Sequence, residues 1–478
     1  MVGRFRRISF FAVVICLLIS HRVTGSSVSS GKQHLDHETA GDSTTEPTER
    51  EKSHWSDVFK NIPVGPYKLD IGGSMRLRFE HSDDFNIQRY ADQRRATLSQ
   101  DGFLLHRSRL DLNLRFSEQA HFYTQFQDAR VYNSDFHQDD FAIGCPYWNS
   151  FGLRQAYLEW RQINDTPFGV KLGRQAIFYG DDRIWGPGEW GNVGRYTWDA
   201  AKLIADTKPA EVHFLFARQV TYDDHKFVDN HDANLDVFGA YAMIKNLPCK
   251  LDFFWLAKHT DPYIVITKQG ATADLSTHTV GLYIDGKFSG GWDYGGTFAH
   301  TFGDRNHARV EAYGANARLG YTFEMPWQPR LGAEYTFASG DSDPDSGVYR
   351  TFDGAFGAID RMYGRMNLFS WMNIHDFQLS GSLKPTKKTK ALLDWHLFYL
   401  DEAKDAWYYC NGQSQRHDPT GQAGSTVGQE IDLVISHKYS DHLEFQAGYA
   451  HFFPGGFLKD TGPSPDADWV FFQMLYSF

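Results

Sequence analysis

Residues 469 to 478 read WVFFQMLYSF. Every second side chain of this stretch is apolar, namely Val470, Phe472, Met474, Tyr476 and Phe478. Successive side chains of a β-strand point to opposite faces, so a period of two describes a strand with one apolar face. Strands of outer-membrane barrels alternate in this way, with apolar side chains toward lipid and polar ones toward the lumen. The stretch therefore predicts a transmembrane β-strand.

The same alternation recurs along the chain in 18 segments of about ten residues. They lie near residues 69–80, 103–116, 120–130, 153–161, 168–178, 199–206, 210–218, 235–243, 249–258, 278–286, 292–302, 311–323, 330–338, 373–383, 390–400, 429–438, 442–452 and 469–478. After the first segment, long gaps such as 131–152 alternate with short gaps such as 117–119. Outer-membrane barrels have long outer loops and short periplasmic turns. The sequence thus predicts an all-β fold, a closed antiparallel transmembrane barrel of about 18 strands with periplasmic termini.

A large soluble β-sandwich or propeller is the alternative fold, because its strands also alternate. The outward face of such strands would be polar, whereas the segment at 311–323 carries a continuous apolar and aromatic row on one face. That row comprises Tyr313, Ala315, Ala317, Leu319, Tyr321 and Phe323. The barrel is therefore favoured, with many aromatic side chains at the membrane interfaces.

The N-terminal region has the composition of an export signal. Arg4, Arg6 and Arg7 precede a short apolar run at 8–19, which is about half the length of a spanning helix. Residues 1–25 are therefore predicted to be a signal peptide. Residues 26–66 are predicted to be a flexible polar periplasmic leader, since they contain too few apolar residues to form a core. Residues 67–478 are assigned to the barrel, and the protein is expected in the outer membrane of a Gram-negative-type bacterium.

The overall composition excludes several other classes of function. A net charge of −11 does not fit a nucleic-acid-binding protein. Removal of the signal leaves an odd number of cysteines, Cys145, Cys249 and Cys410, and a Cys145–Cys410 disulfide remains an open alternative. The acids at 341, 343 and 345 depart from the calcium-loop pattern, and neither a nucleophile elbow nor a phosphate-binding loop is found. We therefore predict no metal, no cofactor and no enzyme activity, although a hydrolase at the barrel rim remains a weaker alternative.

Strand parity predicts which charged side chains line the lumen. The first strands contribute Arg76, Arg78, Glu80, Arg107, Arg109, Asp111, Asn113, Arg115, Arg154, Glu159, Arg161 and Lys171. Later strands contribute Glu334, Asp394, His396, Glu430, Asp432 and Glu444. One wall would be basic and the opposite wall more acidic, and rows of arginine in a narrow channel select anions. The alternative is that these charges pair with one another and only keep the lumen wet.

The densest cluster of chemical groups lies at residues 173–199, between the fifth and sixth strands. It combines glycines, which permit tight turns, with Arg, Asp and Trp side chains that can bond and stack on sugars and carboxylates. Two interpretations stay open: a ligand-contacting loop, or a loop folded into the barrel as a constriction.

The chain resembles the alginate export family of bacterial outer-membrane β-barrels over roughly residues 67 to 478. The motifs that carry the resemblance follow in the family's order: 105–110 (LHRSRL), 125–130 (QFQDAR), 155–159 (QAYLE), 173–175 (GRQ), 180–183 (GDDR), 194–195 (GR) with 198–200 (WDA), 331–335 (LGAEY) with 339–341 (SGD), 351–353 (TFD) and 428–432 (GQEID). A family exporter is plugged by a sizeable periplasmic turn near the end of the barrel. The gap at 439–441 is too short for such a plug.

The resemblance implies an 18-stranded channel, monomeric, that passes an anionic polysaccharide or oligosaccharide through an arginine-rich constriction. Matching positions suggest Arg109, Arg130, Arg174, Arg183 and Arg195 as polyanion contacts and Asp181 and Asp199 as constriction acids, beside the parity-derived Arg107 and Glu334. Since the chain has no energy-coupling motif, the drive would come from periplasmic export partners or a gradient. A general porin or a neutral-oligosaccharide channel is the alternative function.

Overall fold

The computed structural model describes residues 55–84, 100–135, 145–266, 272–306, 308–343, 345–410 and 412–478. The predicted signal peptide and residues 26–54 of the predicted leader lie outside the described residues. One compact unit runs from Val58 to Phe478. In the described part of the predicted leader, Ile62–Val64 pairs with the start of the first barrel strand.

The described residues contain 18 barrel strands. In chain order they are β1 (Tyr67–Asp83), β2 (Gln100–Arg115), β3 (Ala120–Tyr132), β4 (Asn149–Trp160), β5 (Phe168–Gln175), β6 (Trp198–Asp206), β7 (Ala210–Thr221), β8 (Leu235–Ile244), β9 (Cys249–Ile266), β10 (Thr272–Lys287), β11 (Trp292–Arg305), β12 (Ala308–Thr322), β13 (Arg330–Ala338), β14 (Ile374–Thr386), β15 (Thr389–Tyr399), β16 (Thr426–Lys438), β17 (Leu443–Pro454) and β18 (Ala467–Ser477).

Each strand pairs antiparallel with the next, and β18 pairs with β1, so the sheet closes on itself. Closure leaves no strand edge unpaired, which a lipid environment requires because it offers amides no water. The predicted fold class is thereby confirmed. All 18 predicted segments overlap an observed strand.

Connections on one side of the barrel are short, and the three longest lie on the other side. Residues 116–119 link β2 to β3, and residues 439–442 link β16 to β17. The long connections are 176–197, 339–373 and 400–425. The connection 400–425 contains a short hairpin, Ala406–Tyr408 with Ser414–His417. After β17, a single α-helical turn, α1 (Gly456–Thr461), leads toward β18.

The two faces of the wall differ as the alternation predicted. On β18, Phe472 is 41% exposed on the outer surface, whereas Phe471 beside it is buried inside. On β7, the outward Phe214 is 53% exposed, and its neighbour on the inward face, Leu215, is buried. The outer surface is thus apolar at these strands, which is the arrangement that lipid contact requires.

The hydrophobic core lies inside the barrel and not between layers. Long loops fold inward, and their apolar side chains pack against inward-facing residues of the wall. The core includes Trp185 from one loop, Phe356 and Trp371 from another, and Trp407 and Tyr409 from a third. Among the residues that the structure describes, Cys145 and Cys410 are not joined by a disulfide. In the residues described, no helix reaches the length and apolarity needed to cross a membrane.

Candidate functional site in the barrel lumen

Five buried arginines form a cluster on the inner wall at β1, β2 and β4, here called the arginine ladder. Its members are Arg76, Arg78, Arg107, Arg109 and Arg154. Arg76 and Arg107 are direct partners in the β1–β2 pairing, so their side chains share the inward face. Arg154 lies at an irregularity in the β3–β4 register, between Leu153 and Gln155. A bulge of this kind redirects a side chain, and here it sets a fifth guanidinium beside the other four.

The ladder surrounds one carboxylate, that of Glu189. This residue lies in the connection 176–197, here called the constriction loop, which enters the lumen from the end of β5. Its carboxylate is 2.7 Å from Nη1 of Arg109 and 2.7 Å from Nη2 of Arg154. Arg107 approaches the same carboxylate at 3.6 Å. The ladder therefore holds the constriction loop inside the barrel through charge-assisted contacts.

Backbone carbonyls of the same loop extend this attachment. Arg76 and Arg107 both donate to the carbonyl oxygens of Glu189 and Gly191, at 3.0 to 3.2 Å. Arg78 donates to the carbonyl of Trp190 at 2.8 Å and lies over the Trp190 ring. Each contact supplies an acceptor to a buried guanidinium, which desolvation would otherwise penalise.

The ladder keeps an excess of positive charge. Its five guanidiniums are in ion-pair contact with two carboxylates, those of Glu189 and of Glu80, which contacts Arg78 at 2.6 Å. Buried nitrogens of Arg76, Arg107, Arg109 and Arg154 have no hydrogen-bond partner among the described residues. Burial acts to raise the pKa of Glu189, but the neighbouring guanidiniums outweigh burial and hold that pKa below its ordinary value. Glu189 is thus ionised at neutral pH.

Another part of the inner wall, formed by β14, β15 and β16, is acidic. Asp376, Glu430 and Asp432 are buried there together with His396, whose Nδ1 lies 3.0 Å from Asp376. This acidic wall binds the connection 339–373, here called the second loop, through backbone amides. The Met366 amide donates to Glu430 at 2.8 Å. The inner surface thus has a basic and an acidic region, but only β17 and β18 separate β16 from β1, so the two regions do not lie on opposite walls as predicted.

The constriction loop and the second loop meet in the middle of the barrel. The Gly186 amide donates to the Phe356 carbonyl, and the Phe356 amide donates to the Ile184 carbonyl, both at 3.0 Å. The Phe356 ring packs edge-on against Trp198 at 4.6 Å between ring centroids and tilts against Trp185 at 5.9 Å. We call this contact the loop junction. It joins the loop held by the basic wall to the loop held by the acidic wall.

A half-buried acid flanks the loop junction. The backbone carbonyl of Asp182 accepts a hydrogen bond from the Ala358 amide at 2.8 Å. The side-chain Oδ1 of Asp182 is buried without a hydrogen-bond partner among the described residues. Burial raises the pKa of Asp182 to about 7, although Arg361 acts in the opposite direction.

A second ion network joins the constriction loop to β12 and β13. Asp181 lies 3.1 Å from Arg183 and 3.2 Å from Arg318. Arg183 also pairs with Glu334, and Arg318 pairs with Asp285 at 2.6 Å. Positive and negative groups alternate here, so this network is close to neutral.

The structure places six of the nine residues predicted for the site inside the barrel. Arg107 and Arg109 belong to the ladder, and Asp181, Arg183 and Glu334 belong to the second network. Arg195 lies in the constriction loop, with its guanidinium 5.2 Å from the ring centroid of Tyr196. It makes no ion pair with a carboxylate of the described residues.

The other three residues face outward, and their predicted place in the lumen is wrong. Arg130 pairs across the sheet with His106, on the face opposite Arg107 and Arg109, and its guanidinium contacts Asp128 at 2.7 Å. Arg174 and Asp199 are partners in the β5–β6 pairing. Asp199 follows Trp198, which faces the interior, so this pair lies on the outer face. Arg174 is buried there because the carbonyl of Asp229 covers it at 2.6 Å.

Sequence reasoning missed Glu189, the residue at the centre of the ladder. The available signal was that Glu189 is the one acid between residues 183 and 198, in a run rich in Gly and Pro. The alternation from Lys171 through Gly173 to Gln175 could also have placed Arg174 outward. In the described part of the chain, no group of acidic, histidine or cysteine side chains is arranged to hold a metal ion.

Comparison with known proteins supplies two results. A family model described as alginate export matches residues 67–471. No curated protein matches the chain significantly.

Solved outer-membrane proteins of Pseudomonas aeruginosa share the fold at low sequence identity. OpdQ is 12% identical with a TM-score of 0.54, covering 86% of this chain and 97% of its own. OpdK, solved with vanillate, is 9% identical with a TM-score of 0.56, covering 86% and 98%. OccK8 (OprE) is 11% identical with a TM-score of 0.56, covering 86% and 98%. At these identities the likeness concerns the fold alone.

Proposed function

Because this chain belongs to the alginate export family, we propose that it conducts an anionic polysaccharide, or oligosaccharides of the same chemistry, across the outer membrane. Family membership and fold make the protein an outer-membrane channel of a Gram-negative-type bacterium and not an enzyme. The chemistry of the solute is the proposal. It is alginate-like, meaning a chain of sugars that each carry a carboxylate.

The observation that carries the proposal is the uncompensated positive charge of the arginine ladder. Guanidiniums bind carboxylates in a bidentate geometry, and a partly dehydrated site strengthens that interaction relative to water. The ladder already contacts one carboxylate, Glu189, and it retains unpaired buried nitrogens. A uronate carboxylate is the solute group that matches this surface.

The two inward loops bear on how a polymer would pass. In the observed arrangement, the constriction loop contacts the ladder and is joined to the second loop at the loop junction. We therefore expect conduction of a polymer to require displacement of the constriction loop. Periplasmic partners or a concentration gradient would supply the drive, since a channel performs no work by itself.

Single-channel recording of the refolded barrel in a planar bilayer tests this function. We expect anion selectivity, seen as a reversal potential in a salt gradient, and block by a polyuronate but not by a neutral glucan. Arg107→Gln should weaken the block by at least about tenfold, because it removes one charge-assisted contact of about 1.5–3 kcal/mol. A non-selective current insensitive to both polymers would contradict the proposal and favour a general porin.

Arg174→Gln is the matched control. It removes the same charge from the neighbouring part of the barrel, but on the outer face, where Arg174 contacts Asp199 at 2.8 Å. Block by the polyuronate should stay at the wild-type level in this variant. Equal weakening in both variants would mean that the ladder is not the binding surface.

A further inference from the structure

Glu189 is an internal anion held where a solute carboxylate would bind. Its two carboxylate oxygens contact two different guanidiniums, Oε1 that of Arg154 and Oε2 that of Arg109. Resting on the proposed function, we infer that Glu189 acts as a built-in competitor for the ladder. It thereby determines that the channel responds to polyuronates and not to single carboxylates.

Glu189 is more accessible to an incoming anion than the arginines that hold it. The side chain of Glu189 is 26% exposed, whereas those of Arg154 and Arg109 are 0% and 8% exposed. Glu189 is therefore the most exposed side chain of this ion cluster, and its Oε2 is buried against the guanidiniums. An incoming anion meets Glu189 first and reaches the ladder only by replacing it.

Replacement of Glu189 by a solute carboxylate conserves the charge and the geometry of the ion cluster. Glu189 is ionised, because the guanidiniums lower its pKa. A uronate carboxylate has the same charge and the same pair of acceptor oxygens. It can replace Glu189 without leaving a buried guanidinium unpaired, whereas a neutral sugar hydroxyl would leave the charge uncompensated.

Around Glu189, the constriction loop is attached to the ladder by weaker contacts. The loop's other contacts with the ladder are made by uncharged groups, namely amide carbonyl oxygens and the Trp190 ring, and these bind guanidiniums less strongly than carboxylates do. Gly188 and Gly194 bracket this part of the loop with φ of +61° and +92°, values that glycine adopts without strain. Loss of the Glu189 contacts thus removes the strongest attachment of a segment that has a glycine near each end.

Selectivity for polymers follows from effective concentration. Glu189 is tethered to the ladder, so it competes as an anion at roughly millimolar or higher local concentration. A single carboxylate in dilute solution competes poorly with it. A polyuronate presents several linked carboxylates, and once one is bound the next competes at a similar local concentration. Several ladder arginines can then be occupied together, which displaces Glu189.

The experiment compares block by galacturonate monomer with block by polygalacturonate in the wild type and in Glu189→Gln. The amide keeps the shape of the side chain but removes the competing charge. We expect the monomer's blocking concentration to fall at least about tenfold, with a smaller change for the polymer. The ratio of the monomer's blocking concentration to that of the polymer therefore decreases. Glu189→Asp, which is too short to reach both arginines, keeps the charge and should shift the ratio in the same direction by less.

Glu159→Gln is the control, since Glu159 is an acid on β4 that pairs with Arg161 and Lys171 and with no arginine of the ladder among the described residues. Its ratio should equal that of the wild type. If the polymer blocks the wild type but Glu189→Gln and Glu189→Asp leave the ratio unchanged, the inference is overturned while the proposed function stands. If neither solute blocks any of these channels, both are overturned.

Discussion

The basic and acidic walls of the lumen hold their loops by opposite ends of the peptide group. The basic wall binds the constriction loop through carbonyl oxygens and the Glu189 side chain. The acidic wall binds the second loop through the amides of Arg365 and Met366, which donate to Asp432 and Glu430. Each wall satisfies its buried charge with the backbone group of complementary polarity.

The two attachments differ in how readily a solute could replace them. Backbone amides bound to a buried carboxylate are fixed by the course of the chain. The Glu189 carboxylate ends a flexible side chain and is chemically equivalent to groups that a solute can carry. We therefore expect a solute to displace the constriction loop more readily than the second loop.

The largest effect is expected where the two loops meet. Phe356→Ala removes a buried ring from the loop junction and should lower the free energy of unfolding by about 3–5 kcal/mol, as large-to-small core changes do. The substitution should separate the two loops from each other, so that the attachments of the constriction loop and of the second loop to their walls no longer differ in effect. Denaturant unfolding of the refolded barrel, followed by near-ultraviolet circular dichroism, measures this. Phe356→Leu keeps most of the apolar volume, and a loss as large as that of the alanine variant would contradict the explanation.

A smaller effect is expected at the attachment of the second loop. Glu430→Ala leaves the buried Met366 amide without its acceptor, which costs about 1–3 kcal/mol. Glu430→Gln retains an acceptor oxygen and should lose less. The same unfolding measurement compares the two variants. If Gln destabilises as much as Ala, charge and not the amide contact holds this loop, and the contrast between the walls fails.

The smallest effect is a dependence on pH at the loop junction. Because the pKa of Asp182 is raised to about 7 in the folded protein, its protonated form is favoured there. Asp182 therefore contributes its full share to the free energy of unfolding below the unfolded pKa of about 3.9. This contribution is lost as the pH rises through about 7. The junction should thus be looser at pH 8 than at pH 5, measured as a higher open probability in single-channel records. In Asp182→Asn this component should vanish, and an unchanged profile would assign the dependence to another group.

The strands were predictable from the sequence because a wall between lipid and lumen imposes a period of two on every segment. The same rule correctly turns Arg107 and Arg109 inward. Arg154 also lies on the inner wall as predicted, at a register irregularity, whereas the family motif misled at Arg174, which alternation from Lys171 would have placed outside.

The inward loops were beyond sequence reasoning. Glu189 meets Arg107, which is 82 residues away, and no periodic pattern encodes the path of an irregular segment. The glycines and aromatic residues of the constriction loop indicated structure without indicating its partner. The charges of the wall could be predicted, but the peptide groups that satisfy them could not.

The contact between β18 and β1 also constrains the order in which the molecule can form. The Trp469 indole donates to Glu80 at 3.0 Å across a separation of 389 residues. Pairing such distant segments requires a large loss of chain entropy before any favourable contact forms between them. Folding should therefore be slow. The arginine ladder is divided among β1, β2 and β4, and it can be assembled by the first strands alone. We therefore expect the basic wall to form early and ring closure to limit the rate of folding.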